Sequence, residues 1–139
     1  MSVEREDFTG EFLRDIERAQ ERFVRAGGLE IESNMKRRAP VARIHGNRLR
    51  DSITSTVDRD ATGVFSDTGP NVEYAAYVEY GTGRKAKGGG GRTTPWTYFD
   101  EKLRQFRTTT GVEAQPFAEP GFQASRPAID ALAAKELKT

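Results

Sequence analysis

The chain has 139 residues, with 22 Lys and Arg against 21 Asp and Glu, one His, no Cys and 35% hydrophobic residues. That length fits one domain with a modest core; the missing Cys excludes disulfide scaffolds, thiol catalysis and Cys-ligated metals, and one His leaves no His pair for a metal site. No apolar run approaches the roughly 20 residues a membrane-spanning helix needs, and residues 1–7 lack a signal-peptide core, so a small, soluble, cytoplasmic domain without metal or cofactor is expected.

Phe8, Phe12, Ile16, Ala19, Phe23 and Ala26 recur at spacings of three and four. They form one apolar stripe within an arc of about 80°, the signature of an amphipathic helix. Gly27-Gly28 interrupts it at a cost of roughly 2 kcal/mol of helix propensity, and Val24, Gly28, Ile31 and Met35 continue a shifted stripe. One long helix over about 6–38 is predicted, weakened or kinked at its middle and ended by Pro40, which pushes the preceding residue out of helical geometry. A basic turn follows over 39–51.

Strands and loops are predicted over 52–115. The β-branched run 52–57 and Gly63-Val64-Phe65-Ser66 flank a turn-rich segment and read as a hairpin. Trp96-Thr97-Tyr98-Phe99 and Phe106-Arg107-Thr108-Thr109-Thr110 read as a second. Between them, Tyr74 to Tyr80 is either a short helix or the entry to a strand. Phe122, Ile129, Leu132, Ala133 and Leu137 mark one face of a C-terminal helix over about 117–138, with Pro127 limiting its first turns. The expected fold is a single α+β domain over 1–139. A long N-terminal helix precedes an antiparallel sheet of about four strands from two hairpins, and the C-terminal helix packs on the same sheet.

The charge balance is a cancellation. Residues 1–32 carry nine acids and five bases, whereas residues 33–50 carry no acid and six bases: Lys36, Arg37, Arg38, Arg43, Arg48 and Arg50. Arg84, Lys85, Lys87 and Arg92 surround the glycine run 88–91. A patchy surface potential is therefore expected.

Catalytic chemistry finds little support. Glu73 with Glu79, or Asp100 with Glu101, offer carboxylate pairs for acid–base work, but with 21 acids in the chain such pairs arise anywhere and read as solvated surface charge. His45 lacks a partner at any diagnostic spacing, and Ser52, Ser55 and Ser66 lack a nucleophile elbow. The glycine run lacks the Lys-Ser/Thr of a phosphate-binding loop and reads as a flexible cationic tip that can touch DNA phosphates without reading sequence. The aromatic residues Tyr74, Tyr77, Tyr80, Trp96, Tyr98, Phe99 and Phe106 read first as core, second as a protein–protein surface, and third as a base-stacking platform.

Three motifs, taken in order, carry a resemblance. Ala39-Pro40-Val41 followed by Gly46-Asn47-Arg48-Leu49-Arg50-Asp51-Ser52-Ile53 resembles an A-P-V…G-x-L-R-x-S-I stretch. Tyr74-Ala75-Ala76-Tyr77-Val78-Glu79-Tyr80-Gly81-Thr82 resembles Y-A-x-x-V-E-x-G-T, and Gln115-Pro116-Phe117-Ala118-Glu119-Pro120-Gly121-Phe122 resembles Q-P-F-x-x-P-A-F. Together, over about residues 28–137, they resemble the small tail-component family of long-tailed bacteriophages and prophages, of the neck or tail-completion type. Gly46-Asn47-Arg48-Leu49 carries one extra residue, residues 42–45 replace a shorter turn, and Gly121 stands where alanine is usual.

The resemblance implies a non-enzymatic virion protein at the head–tail junction, assembled in the host cytoplasm as a homo-oligomeric ring, a hexamer or dodecamer. Its partners would be the head connector or stopper and the tail-tube or tail-terminator proteins. Tyr74, Tyr77, Glu79, Tyr80, Trp96, Tyr98, Pro116 and Phe117 are the candidate subunit or partner interface. Glu79 is either a partly buried charge with an Arg partner that fixes subunit register or a rim carboxylate. Arg84, Lys85, Lys87 and Arg92 form a candidate DNA-facing loop, in a ring lumen or against an acidic neighbour such as the face carrying Glu11 and Glu21. The alternative function is sequence-independent nucleic-acid binding through that loop.

Overall fold

The computed structural model describes residues 2–41, 47–101 and 103–137, with residues 2–8 described by backbone alone. The readings placed on the Phe8 side chain, on residues 42–46 with Arg43 and His45, and on a helix end at Lys138 lie outside the described residues.

Helix α1 (Ser2–Arg38) runs through Gly27 and Gly28 as the one long helix expected. Both glycines are buried. A Cβ at Gly28 would overlap Ser55 Oγ and come within 3.1 Å of Ser66 Cβ. Gly28 therefore lets a hairpin press against the helix, and that packing offsets its poor helix propensity.

Inside the expected basic turn, residues 48–52 wind into a short helix, α2 (Arg48–Ser52). Strands β1 (Thr54–Asp60) and β2 (Gly63–Gly69) pair antiparallel from Thr54↔Gly69 to Asp60↔Gly63. The ambiguous segment is a helix, α3 (Ala75–Tyr80), followed by a 3₁₀ turn over Gly83–Lys85. Strands β3 (Trp96–Asp100) and β4 (Gln105–Thr109) pair from Trp96↔Thr109 to Asp100↔Gln105. Helix α4 (Ala118–Glu136) continues through Pro127.

The class is α+β, in the expected order of helix, two hairpins and helix. Among the described residues, however, the hairpins form two separate two-stranded sheets. Helix α4 packs chiefly along α1, and α1 in turn lies on β1–β2. Gly121 decides how closely the helices approach: a Cβ there would lie 2.9 Å from Met35 Cα. Across the same contact the buried Asn34 Nδ2 donates to Ser125 Oγ at 3.0 Å, and Ser125 Oγ donates to the Gly121 carbonyl at 2.8 Å.

The core consists of Met35, Ala39, Leu49, Ile53, Ala75 and Phe117, with Ile31, Val72 and Val78 packed against it. Ile53 and Phe117 are almost wholly enclosed, each contributing about 1.5–3 kcal/mol by leaving water. The β3–β4 hairpin stands apart from this core. Phe99 and Phe106 pack edge to face on it, with ring centroids 5.2 Å apart, yet both stay exposed.

Candidate functional site

The three motifs meet at one end of α1. Ala39 comes from the first stretch, Leu49 and Ile53 from its continuation, Ala75 from the second and Phe117 from the third, and of the six core side chains only Met35 lies outside a motif. The core is thus built mainly from residues that carry the resemblance.

Glu79 joins the second motif to the third. Its Oε2 accepts the backbone N–H groups of Phe117 at 2.7 Å and Ala118 at 2.9 Å, and its Oε1 accepts that of Glu119 at 3.1 Å. A helix start leaves four N–H groups without intrahelical partners. Here Glu79 takes three, the fourth residue is Pro120, which has none, and Gly121 N–H opens the ladder by bonding the Phe117 carbonyl at 3.0 Å. Burial pushes the Glu79 carboxyl up, but the three backbone N–H groups and the nearby Lys87 outweigh it and hold the pKa below the ordinary glutamate value. The positive end of the α4 dipole acts in the same direction. Glu79 is therefore not a rim carboxylate but a buried cap supplied by a remote helix, and among the described residues no Arg pairs with it.

Beside this cap lies an apolar cleft of about 300 Å³, walled by Val41, Leu49, Tyr74, Tyr77, Val78 and Val112, with Thr82, Glu113 and Gln115 as polar lining. Backbone pairing holds one wall: Gln115 N–H donates to the Val78 carbonyl at 2.8 Å, and Thr82 N–H to the Val112 carbonyl at 2.9 Å. Gly81 is needed at the bend, since it adopts φ 78° and a Cβ there would approach the Val112 carbonyl oxygen to 2.8 Å. The Arg48 guanidinium lies over the Tyr74 ring, 5.7 Å from its centroid. Tyr77 also lines a neighbouring hollow of about 570 Å³, together with Trp96.

Of the sequence-predicted interface residues, the cleft brings together Tyr74 and Tyr77. Tyr80, Tyr98 and Pro116 are exposed, Trp96 is half-buried, and Glu79 and Phe117 lie inside the subunit, where they serve the α4 cap and the core. Arg84, Lys85, Lys87 and Arg92 are exposed, but two of them turn back on their own loop. Arg84 Nε donates to the Thr93 carbonyl, and Arg92 lies over Trp96, 5.5 Å from its centroid, while donating to Thr94 Oγ1 at 3.1 Å. Glu73 and Glu101 are exposed, and Asp100 pairs with Arg107 at 3.6 Å and accepts the Leu103 N–H. No carboxylate pair faces a cavity from these positions.

Sequence reasoning did not single out Val41, Leu49, Val78, Val112 or Gln115 as site residues. Four of the five lie within the quoted motifs, so motif membership was the available signal; Val112 offered none. Phe12 and Ile16, two members of the apolar stripe read from the sequence, are exposed, as is Leu13 beside them.

Residues 6–81 match the family described as "Bacteriophage HK97-gp10, putative tail-component". No curated protein and no solved structure matches the chain.

Proposed function

Because the chain belongs to the HK97-gp10-like family of phage tail components, we propose that it is a structural virion protein of the head–tail junction. In this reading it assembles as a ring, hexameric or dodecameric, between the head connector and the tail tube, and works by assembly geometry rather than catalysis. Its place is the finished particle, reached by assembly in the host cytoplasm.

One observation carries this reading. Among the described residues, fifteen large hydrophobic side chains are exposed while six hydrophobic residues are buried. Ten of the fifteen are grouped on one end of α1 (Phe12, Leu13, Ile16), around the cleft (Val41, Tyr77, Val112) and on the β3–β4 hairpin (Tyr98, Phe99, Leu103, Phe106). Single exposed apolar residues are ordinary, but grouped ones mark surfaces that other chains cover. Both hairpins also leave strand edges unpaired, a hazard in a monomer and a joining device in an oligomer.

The test is removal of the gene from the phage or inducible prophage. DNA-filled heads and separate tails are expected in the lysate by electron microscopy, with joining restored when the purified protein is added. Complete infectious particles from the deletion, or gold-labelled antibody bound only at the distal tail tip, would overturn the junction role.

A further inference from the structure

Helix α1 is 37 residues long, about 55 Å at 1.5 Å per residue, whereas α4 has 19 residues and spans about 28 Å. The two run antiparallel along the C-terminal half of α1. Met35 meets Gly121, Asn34 meets Ser125, Gly27 meets Ile129, and Arg22 pairs with Glu136 at 3.0 Å at the outer end. The β1–β2 hairpin covers the same half, and Arg59 near its tip reaches Glu21 at 4.0 Å. The N-terminal half of α1 projects past both. Its apolar side chains Phe12, Leu13 and Ile16 are 52%, 54% and 36% exposed, although they continue the stripe that Phe23 and Val24 turn toward Phe65 and Ile129.

An amphipathic helix draws its stability from burying such a stripe, so this one requires an occupant. The Val41/Tyr77/Val112 cleft has the matching character: it is apolar, about 300 Å³, and rimmed by exposed Val41, Tyr77 and Val112. Within one subunit the two cannot meet. The cleft begins at Pro40, 24 residues beyond Ile16 along the sequence, which over the helical part is about 35 Å of rigid rod. The charges complement each other as well. Residues 9–21 of α1 carry Glu11, Asp15, Glu17 and Glu21 against Arg14 and Arg18. The cleft is bordered by Arg48 over Tyr74, and Lys87 lines the neighbouring hollow that shares Tyr77 and Thr82 with it. Glu113 is the acid in the cleft lining.

We propose that the Phe12, Leu13 and Ile16 face of α1 seats in the Val41/Tyr77/Val112 cleft of a second copy of this chain. The contact follows the helix-in-groove mode, with anchors at i, i+1 and i+4. Donor and acceptor surfaces sit at opposite ends of one helix, so the contact is head-to-tail and propagates from subunit to subunit until rotation closes it. It rests on the assembly role proposed above and names the surfaces that would perform it.

The chain has no cysteine, which permits a clean test. The double variant Ile16→Cys with Val112→Cys, held under mild oxidation, should give a ladder of covalent oligomers on non-reducing gels. Ile16→Cys and Val112→Cys alone should give none beyond a dimer, because a disulfide needs Cα atoms within about 7 Å. In parallel, Phe12→Asp with Ile16→Asp removes the inserted face, and Tyr77→Glu with Val112→Glu blocks the cleft. All four side chains are solvent-exposed, so each variant should keep the wild-type circular dichroism spectrum, while losing the share of melting temperature that assembly supplies. By light scattering the wild type should exceed a monomer and each variant alone should be monomeric. A mixture of the two variants should form a one-to-one dimer and nothing larger, since one working face then meets one working cleft. A wild type that stays monomeric, variants that assemble like the wild type, or an absent ladder from the double cysteine chain would overturn the contact. Junction labelling and the deletion phenotype do not depend on these outcomes, so failure here removes this contact and leaves the family role standing.

Discussion

Glu79 Oε2 stands 2.7 Å from the backbone nitrogen of Phe117, 38 residues away in sequence. Helix N-termini are usually capped by the side chain of the residue at the start itself, but here that residue is Phe117, which has no polar side chain and is buried in the core. Phe117 can fill the core because Glu79 takes over the capping. The two roles are split between two motifs, and each depends on the other's position.

Removing the cap should be costly. Glu79→Ala leaves three N–H groups at the buried start of α4 without acceptors, and a loss of about 2–4 kcal/mol is expected from capping and buried hydrogen-bond magnitudes. Glu79→Gln keeps an acceptor oxygen but loses the charge, so it should lie between Ala and wild type. Urea denaturation followed by circular dichroism measures both; a Glu79→Ala midpoint equal to wild type would contradict the capping role.

The same carboxylate makes stability depend on acid. Its pKa is lowered in the folded chain relative to the ordinary value of 4.5. The carboxylate therefore stabilises the fold fully above the unfolded-state pKa, and this contribution fades as pH falls through the folded-state value. Stability measured from pH 7 down to acid should fall more steeply for the wild type than for Glu79→Gln. Parallel curves for the two proteins below pH 4.5 would show that Glu79 does not carry this dependence.

Gly121 offers a test of the helix contact. Alanine there gains about 1 kcal/mol of helix propensity, yet its Cβ would meet Met35 N, Cα and Cγ at 2.9 Å. Two of those atoms are backbone and cannot rotate away. Overpacking of this kind costs about 1–3 kcal/mol, so Gly121→Ala should lower the melting temperature even though the resembling pattern carries alanine at this place. An unchanged or raised melting temperature would mean that α1 and α4 separate more easily than their contact implies.

Ser125 is fully enclosed and accepts from Asn34 Nδ2 while donating to the Gly121 carbonyl. Ser125→Ala removes one of the partners of Asn34, which keeps the Glu30 carbonyl at 3.1 Å. A loss of about 1 kcal/mol is expected, read by thermal unfolding. A restoration of stability on adding Asn34→Leu would identify the stranded amide as the cause.

Much of the local structure was legible. The spacing of Phe12, Ile16, Phe23 and Ile31 announced α1, the β-branched runs announced both hairpins, and Pro40 marked where the helix stops. Why glycine stands at position 28 was not legible, because glycine propensity reports on a helix in water and not on one pressed by Ser55 and Ser66. The role of Glu79 was hidden for a different reason. Its partners are backbone N–H groups, which every residue has, so no residue type in the sequence signals them. The cleft was half visible: its walls come from the recognised motifs, but only Tyr74 and Tyr77 bore a residue type that reads as a surface.

What the sequence determined by itself was the order and kind of the elements and the family motifs, since periodicity and proline stops depend on neighbours a few residues apart. Tertiary structure alone decided which half of the α1 stripe is covered, because α4 returns from about a hundred residues away and is too short to reach the rest. The identity of an apolar stripe is local; whether it faces core or solvent depends on the length of what packs against it.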